Sequence, residues 1–273
     1  MSSSELVRLA KRKENRKAIE TAYANAAQSY LIHYSCESFY NNESGQSRRV
    51  TSIAVRNLAS AQTHSWSIHK SAELQKKLEN INDDLDSLEH HMLEDYFQFL
   101  RNHANFTFIH WNMRDEAYGF QAIEHRFRVL GGEPYILQDE RKLDLARVLT
   151  ALFGNSYAPH KSASGRKGRL MSLIEMNEIE DLDALQGAEE ADAFKNGEYL
   201  KLHRSTLRKV DIFANILDRV HGKTLKTDAT FSDLYGFKPV VLIEIVKTHP
   251  LYSLAGILIT GVTFYTRVFG LFM

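Results

Sequence analysis

Apolar residues along this chain follow two rhythms, a helical step of three to four and a strand alternation of two, and the order of those rhythms predicts the architecture. Met1 to Tyr30 places Leu6, Leu9, Ala10, Ile19, Ala22 and Ala26 at helical steps. That predicts an amphipathic helix, with Ser2 to Ser4 available as N-caps. Ser29 to Phe39 is rich in strand formers, and Arg49 to Asn57 and Thr63 to His69 alternate apolar with polar positions, so three strands are expected. Asn41 to Gly45 and Leu58 to Gln62 would turn them into an antiparallel meander. Ser71 to Asn102 then carries Leu74, Leu78, Ile81, Leu85, Leu88, Met92, Tyr96 and Leu100 in helical register, the mark of one long amphipathic helix.

The second half alternates more regularly. Asn105 to Trp111 reads as a buried strand, Glu116 to Leu130 as a helix stopped by Gly131, Gly132 and Pro134, Pro134 to Leu137 as a short fifth strand, and Lys142 to Phe153 as a helix. Three antiparallel strands followed by helix and strand units predict an α/β fold: a mixed five-stranded sheet with flanking helices. Tyr157 to Arg169 is a Gly-, Ser- and Lys-rich loop, after which Met171 to Met176, Ala184 to Phe194 and Gly197 to His221 read as helices. The pattern divides the chain into a basic helix over 1–28, an α/β body over 29–222 and a C-terminal segment over 223–273.

That last segment differs in character. Leu251 to Met273 holds one charge, Arg267, and nearly reaches the roughly 20 apolar residues of a spanning helix. Two readings stay open: an anchor tethering the protein to a membrane, or an apolar helix packed on the body or on a second copy in a homo-oligomer. The shorter run Pro239 to Val246 is interrupted by Glu244.

Composition narrows the function classes. The chain has 273 residues, 44% of them apolar, with 4 Pro and one Cys, which excludes a disordered, collagenous or disulfide-stapled protein. The lone Cys36 fits a reducing, cytoplasmic setting, and the basic N-terminus lacks the apolar run of a secretory signal. Lys and Arg total 34 against 34 Asp and Glu, so any nucleic-acid contact must come from local patches. Lys161, Arg166, Lys167 and Arg169 in the loop and Lys201, Arg204, Arg208 and Lys209 on the late helix form such patches, with Tyr157 and Trp111 able to stack on bases. Gly131-Gly132 lacks any phosphate-loop pattern, and Cys36 lacks the surroundings of a thiol nucleophile.

The strand order and three carboxylates resemble the ribonuclease H-like fold, in particular its DEDD 3'-5' exonuclease branch. The first strand offers Ser35-Cys36-Glu37, the segment after the fourth strand His110-Trp111-Asn112-Met113-Arg114-Asp115, and the late helix His203 through Asp211. The resemblance implies Glu37, Asp115 and Asp211 as ligands of two divalent ions, Mg²⁺ or Mn²⁺, that prepare a water and stabilise the leaving oxygen. It implies His203 as a general base, with Ser35 and Asn112 beside the strand, and the patch residues Arg166, Lys167, Arg208 and Lys209 with Trp111 would complete the contacts to a nucleic-acid strand. Ser35 stands where the branch has its bridging Asp, and Arg114 adds positive charge beside Asp115. Both departures point to a catalytically degenerate binder. The alternative expectation is a non-enzymatic sensor tethered by residues 251–273, of a kind suited to microbial defence.

Overall fold

The structure is a computed structural model that describes residues 4–37, 47–114, 116–230 and 233–234. The turn at 41–45, the run at 239–246, the apolar stretch 251–273 and Asp115 lie outside the described residues.

Helix α1 (Ser4–Ala24) leads into strands β1 (Ser29–Cys36), β2 (Val50–Asn57) and β3 (Thr63–Ser67). Helices α2 (Ile68–Leu74) and α3 (Leu85–Asn102) follow, then β4 (Thr107–His110) and α4 (Phe120–Val129). Strand β5 (Lys142–Asp144) runs directly into α5 (Leu145–Phe153), and α6 (Arg169–Met176), α7 (Gly187–Lys195) and α8 (Tyr199–His221) complete the described body. The five strands form one open sheet in the order β3-β2-β1-β4-β5. β1 pairs antiparallel with β2 and parallel with β4, β2 antiparallel with β3, and β4 parallel with β5.

Strand alternation sends β1 side chains to two cores. Leu31 packs with Ile109 beneath residues of α1, α5, α6 and α8, whereas Tyr30, Ile32 and Tyr34 pack with Ile53 and Val55 against α3 and α4. Both faces of the centre are covered, which is why β1 is buried along its whole length.

The basic N-terminal helix belongs to this body. Ile19 and Ala22 are buried in the first core, Arg16 donates to the Val220 carbonyl at 2.8 Å, and Tyr23 stacks on His221 with centroids 3.8 Å apart. Arg16 thus satisfies a carbonyl in the last turn of α8, where a cation is favoured.

Three expected elements differ. The fifth strand is Lys142–Asp144, not 134–137, and it sits beside Phe108, Ile109 and His110 of β4. Three residues leading straight into a helix leave no alternation to read, and Asp144 ends the strand by capping α5 through the amides of Ala146 and Arg147. The single helix expected over 71–102 is broken between α2 and α3. Lys76 takes a left-handed φ of 57°, and Asn80, Asn82, Asp83 and Asp84 favour turns over a helix interior. The helix after β4 starts at Phe120, because residues 112–119 close on themselves through an Arg114–Gly119 bridge. A Cβ on Gly119 would lie 2.6 Å from the Met113 carbonyl carbon, so only glycine permits that approach.

Candidate functional site

Two polar regions lie on the α8 side of the sheet and at its edge, and both contain residues expected from the sequence. The first surrounds Ser35. Its hydroxyl donates to Glu190 of α7 at 2.9 Å and shares a hydrogen bond with Thr206 of α8, also at 2.9 Å. Ser52, the antiparallel neighbour of Ser35, bonds Thr206 as well. Glu190 further accepts from Ser205 at 3.1 Å and from the Lys209 ammonium at 2.7 Å. Ser35, Ser52, Glu190, Ser205, Thr206 and Lys209 are all buried. A buried carboxylate is tolerated when hydroxyls and an ammonium saturate it, as here. The Lys209 cation and the burial of the imidazole both push the neighbouring His33 pKa well down, burial being the larger cause, so His33 is neutral.

The expected metal ligands do not converge on this point. Glu37 accepts the Arg49 backbone N–H at 3.0 Å at the end of β1. Asp211 pairs with Arg56 at 3.2 Å, and Arg56 lies opposite Leu31, four residues or about 13 Å along the strand from Ser35. Asp115 lies outside the described residues. Among the described residues, no three His, Cys, Asp or Glu side chains gather as a metal-holding group. His203, expected as a base near Asp211, instead bridges Ser67 and Ser65 of β3 at 3.1 and 3.0 Å, and its burial lowers the pKa to about 4. Lys209, expected as a phosphate contact, has its ammonium buried on Glu190. Arg166 is engaged by Asp181, and Arg208 donates to the Leu182 carbonyl at 3.0 Å. Lys167 is exposed.

The second region is open. At the carboxyl ends of β4 and β5, where ligands gather in α/β sheets, a cleft of about 900 Å³ runs between α1, α5 and the 157–169 loop. Its cations are Arg8 and Lys11 from α1, Arg114, Arg147 of α5 and Arg169 of α6, and no carboxylate lines it among the described residues. Trp111 and Asn112, both expected as ligand contacts, sit in its wall beside Tyr157. Trp111 stacks on Phe213 at 5.8 Å, and the Arg169 guanidinium lies 5.3 Å from the Tyr157 ring centre. Asn112 takes a left-handed φ of 57° and holds Arg114 at 2.8 Å through its side-chain oxygen. The loop is fixed internally: Ser162 donates to the Arg166 carbonyl at 2.9 Å and Gly168 to that of His160 at 2.7 Å. That geometry turns Arg169 toward the cleft and Arg166 away to Asp181.

A smaller cavity of about 420 Å³ adjoins the cleft and shares Asn15, Arg114 and Arg147 with it. His110 and Asp144, register partners on β4 and β5, line its base. The His110 Nδ1 accepts the Met113 N–H at 3.1 Å, so the ring proton resides on Nε2. Burial pushes the His110 pKa down to about 4 against the opposing pull of Asp144.

Arg8, Lys11, Arg147, Asp144 and Glu190 did not emerge as site residues from the sequence. For Glu190 a signal existed: Ala193 and Phe194 follow at three and four positions, which places its carboxylate on the apolar face of α7. The cleft cations carry no such mark, since they come together only through the α1–α5 packing. Comparisons with protein-family models, curated proteins and solved structures give no match.

Proposed function

We propose that this chain is a ribonuclease H-like protein that binds single-stranded nucleic acid in the cleft at the ends of β4 and β5, with its first-strand position given over to structure rather than to metal. The observation that carries the reading is the cleft itself: five cations and a tryptophan, with no acid among its described lining residues. Lys and Arg track phosphates, and an aromatic ring supplies a sequence-tolerant stacking platform. The sheet order β3-β2-β1-β4-β5 supports the fold resemblance. Ser35 in place of an acid, with Lys209 on the neighbouring carboxylate, supports catalytic degeneracy. The membrane-tethered sensor reading rests on residues 251–273, outside the described residues; no described helix is long and apolar enough to cross a membrane.

Fluorescence anisotropy of labelled single-stranded DNA and RNA with the full chain, from low to high NaCl, tests the proposal. Binding should weaken with salt at a log–log slope of about −0.7 per phosphate neutralised. Addition of Mg²⁺ or Mn²⁺ should leave the strands at full length on a denaturing gel. Salt-independent or absent binding would remove the nucleic-acid reading, and metal-dependent shortening would remove the degeneracy.

A further inference from the structure

Cations gather at the boundary between the large cleft and the smaller cavity. Arg114 and Arg147 both approach one carboxylate, Asp144, at 3.3 and 3.9 Å. Its Oδ1 accepts from the amides of Asn112, Ala146 and Arg147 at 3.3, 3.0 and 3.4 Å, which leaves Oδ2 to face the two guanidinium groups. Lys142, also lining the small cavity, pairs with Asp139, whose side chain is 93% exposed, and lies over the Phe120 ring at 5.2 Å. The Asp139 end of that pair is solvated and weakly held, so a phosphate oxygen can replace it on the ammonium. Three cations therefore face two acids, Asp144 and the exposed Asp139. His110 adds a nearly fully buried ring whose Nε2–H has no described partner.

We propose that this boundary seats a terminal phosphate of the strand bound in the cleft, with Arg114 and Arg147 as the clamp and Lys142 and His110 as further donors. The inference rests on the nucleic-acid reading above and deepens it. Two guanidinium forks match the oxygens of a phosphate in bidentate fashion. The charge excess suits a phosphomonoester, which carries about −1.5 to −2 near neutral pH, better than the single charge of an internal diester. The strand's bases are placed on the other side of the boundary, toward Trp111, where the space is larger.

The test compares three forms of one internally labelled single-stranded decanucleotide, bearing a 5'-phosphate, a 3'-phosphate or hydroxyls at both ends, binding to the full chain. One phosphorylated form should bind about tenfold more tightly than the hydroxyl form, as one added charge-assisted hydrogen bond implies. That advantage should vanish in Arg147→Ala, whose side chain is 69% exposed and removable without touching the core, and in Arg114→Ala. Lys11→Ala should weaken all three forms alike. Equal affinity for all three forms of the strand, or an advantage that survives both arginine variants, would overturn end recognition while leaving strand binding intact. No binding of any form would overturn both readings.

Discussion

The polar residues over β1 and β2 and those at the ends of β4 and β5 use the same side-chain chemistry and reach opposite results. Over β1, one carboxylate, Glu190, meets two hydroxyls and an ammonium, all of them buried. At the sheet's other half, five cations line a cleft of about 900 Å³ with no acid among its described residues, and only Arg114 and Arg147 reach a carboxylate, Asp144, in the adjoining cavity. A saturated network has nothing left to offer a ligand, whereas an unbalanced one gains by taking a counter-charge. Charge balance, more than the presence of charge, separates the closed region from the open one.

The largest effect should come from breaking the closed network. Glu190→Ala leaves the Lys209 ammonium buried without its partner, and removing one member of such a pair costs about 3–5 kcal/mol. Urea unfolding followed by circular dichroism should show that loss, and a change under 1 kcal/mol would mean that the network is not closed. Ser35→Asp sharpens the same point. A second carboxylate beside Glu190 in a buried site should lower Tm, and Mg²⁺ or Mn²⁺ should not restore it. Recovery of Tm with metal would return the first strand to catalysis.

Acid should act next. His110 and His203 each have a pKa near 4 in the folded chain against an ordinary 6.5, and His33 is lowered as well. Between those values the unfolded chain binds protons that the folded chain refuses. Stability is therefore intact above pH 6.5 and falls as pH drops toward 4, by up to about 3 kcal/mol each for His110 and His203. Thermal melts at pH 7, 6, 5 and 4 check this, and a flat Tm would contradict it.

Smaller effects belong to the cleft. Arg169→Ala should weaken strand binding about tenfold and change unfolding free energy by about 1 kcal/mol, since its guanidinium contacts the Asn155 carbonyl and the Tyr157 ring at the cleft wall. Lys11→Ala should reduce the magnitude of the salt slope by about 0.7 without altering sequence preference. Arg208→Ala should leave affinity unchanged, because its guanidinium is spent on the Leu182 carbonyl.

The order of elements along the chain and the mixed sheet were legible because the switch from alternation to helical steps survives in each long element. It failed where an element was too short to show a period, as in Lys142–Asp144, or where one apolar rhythm ran across a real break, as at Lys76 to Asp84. The candidate site divided along the same line. Trp111, Asn112, Tyr157 and Arg169 were legible from the strand end and the loop, and they share one cleft. Lys209 looked like a solvated cation, yet it stands four residues before Phe213 and seven after Leu202, a spacing that puts it on the buried face of α8. The pairing of Lys209 with Glu190 and the convergence of Arg8, Lys11 and Arg147 depend on tertiary packing, which periodicity does not carry.

Hydrogen exchange of the full chain with and without a single-stranded decanucleotide examines both regions in one experiment. Protection should rise in α1, in α5 and over residues 157–169, while α7 and the middle of α8 exchange as before. Protection centred on α7 and residues 205–209, or none around the cleft, would contradict the assignment of binding to the open region and of structure to the closed one.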